Sequence, residues 1–263
     1  MGFQGRQRVV CKPLSLQKKI STLPGLLLAF SVLALSAGFV GKLKKQNISY
    51  SGLALELSSN EPVYKEEHEE YLENGKHTLT YTYYKDPNGK LIATRKMDFT
   101  KNLAKPDYKL EDFRNGYIEG ASVLNEKEIK VFSRKNRNEQ LSETLLSVPE
   151  PCVIDGGFNH FVKSHWEEMM KGKVFSFNFV APIKKDFYKF RIRKIREEIQ
   201  NGKPAVEIYL EIDNFLLRAF VDPIKIEYDV QSRRIIAYRG ISNINNSEGK
   251  SYVVKLEYPN YGP

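Results

Sequence analysis

Between Asp155 and Pro182 the spacing of apolar residues switches from one repeat to another, and the switch limits the folds open to this chain. Phe158, Phe161, Val162, His165, Trp166 and Met169 recur at steps of three and four, which puts them on one stripe of a helix. Asn159, His160, Lys163, Ser164, Glu167, Glu168 and Lys171 fall on the other side. Asp155 has the side chain of an N-cap, and Gly172 suits the left-handed residue that ends a helix, so the spacing predicts one helix over 157–171. Directly after it the period drops to two. Phe175, Phe177 and Phe179 point one way and Val174, Ser176, Asn178 and Val180 the other, until Pro182 interrupts the ladder. A helix with an aromatic face, followed at once by such a strand, implies a helix packed on a sheet.

The rest of the chain repeats the period of two. A strand over Val63–Glu73 meets the Asn74-Gly75 turn signal, and Leu79, Tyr81 and Tyr83 then alternate with Thr78, Thr80 and Thr82. Asp86-Pro-Asn-Gly89 reads as a second turn, and Leu91, Ala93, Arg95, Met97 and Phe99 share a face after it. Residues 100–126 are less regular; further strands are expected at 127–134 and 141–148. Beyond Pro182, Tyr188, Phe190 and Ile192 alternate with Lys189, Arg191 and Arg193, and the return run sets Val206, Ile208, Leu210 and Ile212 against Glu207, Tyr209 and Glu211. A three-residue loop, Gln200-Asn201-Gly202, pairs Ile192 with Leu210 and Arg191 with Glu211, whereas a two-residue turn mixes the faces; the looser loop with a bulge is therefore predicted. Lys189, Arg191 and Arg193 then lie within reach of Glu207 and Glu211, so charge pairing on a solvated face is expected rather than phosphate binding. Asp213–Asp222 shows no clear period and reads as a buried turn of helix or a strand. Strands near 224–228, 234–239 and 252–258 complete the pattern. The expected class is α+β, mainly antiparallel β, with a bent sheet that buries its rings against the segment 157–171.

Three regions follow from composition. Residues 1–41 carry five basic residues and no acid, and the run from Leu23 to Gly41 is uncharged, as in a signal peptide or an N-terminal signal anchor. Cleavage after Ser36, with Ala34 at the −3 place, fits the small-residue rule, and both readings place the remainder outside the cytoplasm, in the periplasm. Gly38 stands where a lipidated cysteine is required, so no lipid anchor is expected. Residues 42–61 read as a polar linker and 62–263 as a single β-rich domain. Without the leader, 36 basic face 32 acidic residues, so most of the positive excess belongs to the leader and nucleic-acid binding is not expected. The cysteines are Cys11 and Cys152, and loss of the leader leaves Cys152 with no partner for an intramolecular disulfide. The acidic run Glu66-Glu67-His68-Glu69-Glu70 lacks a recognised metal spacing and is expected to be a solvated edge strand.

Asp155-Gly-Gly-Phe158, the helix end at Lys171-Gly172, Phe187-Tyr-Lys-Phe190, and Pro223-Ile-Lys-Ile-Glu-Tyr-Asp229 followed by Arg233-Arg234 resemble a group of uncharacterised exported bacterial proteins. Their layout is similar to that of the lipoprotein-carrier proteins of the bacterial periplasm. Over residues 62–258 the resemblance implies an antiparallel sheet curled like a half-barrel around helix, with a hollow that accepts acyl chains.

The first expected function is a non-enzymatic envelope protein that binds a lipid or other apolar ligand, with Phe158, Phe161, Trp166, Phe175, Phe177, Phe179, Tyr188 and Phe190 lining the hollow. The alternative is a scaffold or assembly protein that takes an envelope partner at a sheet edge. A hydrolase would draw on Asp155, His160 and His165 with Ser164 or Cys152 as nucleophile, yet no nucleophile elbow, paired-His metal motif or phosphate loop is present, and adjacent Ser164 and His165 point apart on a regular helix. No cofactor and no metal are expected, and a membrane contact only through the N-terminal segment.

Overall fold

The antiparallel sheet of this protein begins in its own middle. The computed structural model describes residues 44–200 and 202–259; the leader, its cleavage site and Cys11 lie outside them. Among the described residues no helix is long and apolar enough to cross a membrane. Seven strands follow the first in chain order: β1 (Lys45–Glu56), β2 (Pro62–Glu73), β3 (Lys76–Lys85), β4 (Leu91–Asp98), β5 (Asp107–Asp112), β6 (Tyr117–Val123), β7 (Glu128–Arg134) and β8 (Ser142–Ser147). The short β9 (Cys152–Val153), helices α1 (Gly157–Ser164) and α2 (Trp166–Met170) and β10 (Phe175–Ala181) come next. The chain closes with β11 (Asp186–Gln200), β12 (Lys203–Ile212), β13 (Ile224–Asp229), β14 (Ile235–Asn245) and β15 (Ser251–Glu257). All 15 strands form one sheet, in which β1 lies between β2 and β15. From β1 the order runs outward through β2 to β8 on one side and through β15 down to β9 on the other. Every pairing is antiparallel except β9 with β10.

Within the stretch 42–61, expected as a linker, Lys45–Glu56 forms a strand of the sheet. Tyr50, Gly52 and Ala54 pair with His68, Glu66 and Tyr64 of β2, while Ala54 and Glu56 pair with Leu256 and Val254 of β15. The segment has few strong strand formers, and the ladders on both its sides hold it extended. Placing β1 there also overturns the solvated-edge reading of the acidic run. β2 becomes an interior strand, so Glu66 and His68 point inward and are buried, while Lys65 and Glu67 face out.

The helical segment is broken. At His165 the backbone leaves helical geometry (φ −107°, ψ 10°), so 157–171 forms two helices rather than one. Ser164 Oγ and His165 Nδ1 both reach the carbonyl of Phe161, at 2.8 Å each, and side chains that compete for helical carbonyls disturb the ladder. The far end behaves as its spacing predicts. Gly172 adopts φ +93°, with Gly172 N bonded to Met169 O and Lys173 N to Glu168 O, a Schellman stop. At the near end Asp155 is not the cap. Gly156 fills that place without a side-chain bond, and Asp155 sits at φ +38° with its carboxylate turned to Arg95. Gly157 is sterically required, because a Cβ there would stand 2.1 Å from the Ala104 carbonyl oxygen.

The apolar stripe packs as the spacing requires. Phe158, Phe161, Val162, Trp166 and Met169 bury against Phe177, Ile192, Val206, Ile208 and Ile226 of β10 to β13. A second cluster joins Val131 of β7 to Val180 of β10, although these strands lie far apart in the sheet order, and Lys185 Nζ reaches Ser142 Oγ. The sheet therefore bends until its two ends touch, without a ladder that closes it. In the long hairpin Arg191 pairs with Glu211 and Ile192 with Leu210, as the alternation demands. The route differs from the expected one: Gln200 pairs with Lys203 across a two-residue connection, and the extra residue is absorbed by a bulge between Lys194 and Arg196. Glu211 accepts from Arg191 and Arg193 at 2.9 and 2.8 Å, and Arg196 lies 2.8 Å from Glu207, so the basic stripe is charge-paired.

Two substitutions test this packing. Phe177→Ala removes the ring between α1 and the sheet and should cost about 3–5 kcal/mol in urea denaturation. Gly157→Ala must push α1 from the 99–106 loop and should cost about 1–3 kcal/mol.

Candidate functional site

Of the eight rings expected to line a hollow, seven lie in or against the packed core. Phe158, Phe161, Trp166 and Phe177 are buried in the core under the helices, and Phe175, Phe179 and Phe190 pack on its border. The Phe161 ring lies tilted 4.8 Å from Phe177, and Phe179 stands edge-on 5.9 Å from Phe190, so ring meets ring rather than an empty volume. Tyr188 shares the face of β11 that carries Phe190 and Ile192 but is largely exposed near the start of the strand.

The open space lies at one rim, where α1 meets the β2–β3 hairpin. A cleft of about 610 Å³ is lined by Ile48, Glu70, Leu72, the turn residues Gly75 to Thr78, the Phe99–Leu103 loop, Asn159, His160, Lys163 and Arg234. Local chemistry holds each wall. Asn74 and Gly75 take φ of 52° and 77°, the paired left-handed geometry of a tight hairpin turn, which brings His77 into the lining. Asn102 Oδ1 accepts the backbone N–H groups of Ala104 and Lys105 at 2.9 and 3.0 Å and fixes the loop. Asn159, His160 and Lys163 occupy the polar side of α1, opposite its core stripe.

Two histidines form the floor. His77 Nδ1 and His160 Nε2 are 2.9 Å apart, and His77 Nε2 lies 2.7 Å from Thr80 Oγ1. Phe99 stacks on His77 at 4.1 Å. Burial lowers the His160 pKa to about 4, reinforced by His77 and Lys163. Burial also lowers His77, with Glu70 opposing. Both rings are therefore neutral at neutral pH, and the pair carries a hydrogen bond rather than a charge. Burial pushes the Lys163 ammonium down as well, with Glu70 opposing and Arg234 adding to it. Asn159 Oδ1 is buried without a hydrogen-bond partner among the described residues. The lining thus joins apolar surface from Ile48, Leu72, Phe99 and Leu103 to cationic groups at Lys76, Lys101, Lys163 and Arg234, with Glu70 as the acid among them. Among the described residues no cluster of three or more metal-ligating side chains occurs.

Behind the cleft the sheet interior is polar. Arg95 Nη1 donates to both carboxylate oxygens of Asp155, at 3.1 and 3.3 Å. Glu66 pairs with His68 at 2.8 Å and accepts from Tyr258, and His68 stacks on Tyr50. Burial raises the Glu119 pKa to about 7 although the Tyr117 hydroxyl donates to it. Thr80 and Thr82, rather than Tyr81 and Tyr83, are the inward residues of β3.

The hydrolase candidates do not assemble. Contrary to the expectation for a regular helix, Ser164 Oγ lies 3.0 Å from His165 Nδ1, because the helix breaks between them. That nitrogen also meets the Phe161 carbonyl at 2.8 Å, an acceptor to which it must donate, so it has no lone pair to take a proton from the serine. Burial pushes the Cys152 thiol up to about 12. Asp155 is held by Arg95, and His160 faces His77.

Sequence reasoning placed Asn159, His160 and Lys163 on the polar side of the helix and singled out Arg233-Arg234 without joining them. His77, 83 residues from His160, carried no signal. No family model, curated protein or solved structure matches the chain.

The histidine pair predicts an acid-sensitive stability term. The unfolded chain binds a proton at His160 below the ordinary imidazole value of 6.5, whereas the folded one resists it down to about 4. Stability from this source is complete above pH 6.5 and falls as pH drops towards 4. His160→Asn should flatten that part of the pH–stability curve in denaturant titrations, relative to the unsubstituted protein.

Proposed function

We propose that this chain is a non-enzymatic envelope protein that holds the anionic head of an amphiphile in the rim cleft, with the sheet acting as a half-barrel frame around α1 and α2. The observation that carries the reading is the composition of the cleft: Lys163 and Arg234 line it near one another, together with apolar wall from Ile48, Leu72, Phe99 and Leu103. A phosphate or carboxylate head takes hydrogen bonds from the ammonium and guanidinium groups and from an imidazole N–H, and the first carbons of its alkyl chain cover the apolar wall. The volume suits a head group and a short length of chain, not whole acyl chains, because the aromatic interior is filled. The resemblance to periplasmic lipoprotein carriers and the export leader are in keeping with this ligand class and with a location outside the cytoplasm.

A second reading has its own support. β8 is one end of the sheet, its outer edge is unpaired, and Leu145 is exposed on it. Such an edge accepts a partner strand, as an envelope scaffold would use it.

Calorimetric titration with dodecyl phosphate tests the first reading. The phosphate should bind at least about tenfold more tightly than uncharged dodecyl maltoside, and Lys163→Ala should remove about tenfold of that affinity, since a charge-assisted hydrogen bond is worth about 1.5–3 kcal/mol. Equal affinity for both amphiphiles, or an unchanged Lys163→Ala titration, contradicts it.

A further inference from the structure

The segment between β12 and β13 was expected to be buried, and it is the most exposed apolar feature among the described residues. Phe215, Leu216 and Phe220 are 80%, 71% and 86% exposed, with Leu217 and Val221 also open to solvent. Its period is absent because it packs on nothing. The loop is nevertheless built. Asn214 Oδ1 accepts from Leu216 N and Leu217 N, and each backbone N–H from Arg218 to Val221 finds a carbonyl inside the loop, around a 3₁₀ turn over Leu217–Ala219. Arg218, the charged side chain of the tip, folds back to the Ile212 carbonyl and towards Asp213 at the base.

We propose that this tip inserts into the surface of a lipid bilayer containing anionic phospholipid. Three observations favour a bilayer over a protein groove. The exposed rings and aliphatic side chains cluster on one short loop, and its backbone N–H groups from Leu216 to Val221 are already bonded, which is what a segment entering a water-poor phase requires. At the same end of the sheet Lys184, Lys185 and Lys225 stand exposed, against Asp186 and Asp222, while Asp213 is taken up by Lys189 and Arg218. This bias suits the charge of an anionic leaflet. The export segment expected over residues 1–41 is in keeping with a membrane nearby. The tip lies at the opposite end of β13 from Arg234 and the cleft, so the proposal stands without any ligand in the cleft.

Tryptophan fluorescence of the full chain tests it. The chain has one tryptophan, Trp166, buried at the start of α2, so a Phe220→Trp variant adds one exposed reporter and keeps an internal one. Mixed with vesicles of phosphatidylcholine and phosphatidylglycerol bearing brominated acyl chains, the added indole should shift to the blue and be quenched, more strongly with phosphatidylglycerol than without. Trp166 in the unsubstituted protein should stay unquenched. Adding Phe215→Asp to Phe220→Trp should abolish the quenching while the Trp166 emission reports an intact fold. A reporter that remains unquenched on both vesicle types overturns the proposal. A blue shift that appears without lipid and grows with protein concentration also overturns it, by assigning the tip to a second copy of the chain.

Discussion

The pairing of β1 with β2 on one side and β15 on the other joins two half-sheets that are otherwise separate runs of the chain. Everything else rests on that seam. β2 to β8 leave it in one direction, and the chain returns to it from the far edge through β9 to β15. The seam shields the inner face of β2, which lets Glu66 and His68 pair in the interior rather than stand in solvent. The cleft depends on it too, because its walls come from both half-sheets: Ile48 and His77 from the first, and α1 and Arg234 from the second. A site assembled from such distant segments forms only once the non-local pairings are in place.

The interior divides by polarity. Beneath α1 and α2 the sheet face is apolar, and rings such as Phe161 and Phe177 settle at offset contact distances. Along β2 to β6 the inner face carries Glu66, His68, Thr82, Arg95 and Glu119 among tyrosines. Such groups are tolerated inside only when they are paired, and Asp155 shows the consequence for the backbone. It gives up the capping role, adopts a left-handed conformation that disfavours non-glycine residues, and neutralises Arg95. The N-terminus of α1 is thereby pinned between that ion pair and the Ala104 carbonyl, which sets the position of Asn159, His160 and Lys163 at the rim.

What could be read from the chain was whatever a local period encodes. The core stripe of the helices, the Gly172 stop, the Asn74-Gly75 turn and the 191–211 register all followed from spacing, because each is fixed by faces that must be dry or wet. The bulge between Lys194 and Arg196 was not legible, since an extra residue in the strand or in the turn yields the same register beyond it. β1 was missed because Asn47, Ser49, Ser51 and Gly52 have little strand preference of their own, and long-range ladders decide their state. The acidic run was misread for the same reason: whether β2 is an edge depends on β1. The break at His165 came from side chains competing for one carbonyl, which a helical wheel does not show. Of the cleft, the α1 residues were visible as a polar face, but their partner His77 is brought in by topology alone.

The central claim is that the rim cleft holds the head of an anionic amphiphile, and native mass spectrometry of the protein extracted in a mild detergent from the cells that make it addresses it most directly. The account predicts a population heavier than the bare chain by the mass of one amphiphile, which dissociates on collisional activation as an anion bearing phosphate or carboxylate. A spectrum showing the bare chain alone, unchanged after incubation with an excess of lipid extract from the same cells, would contradict it.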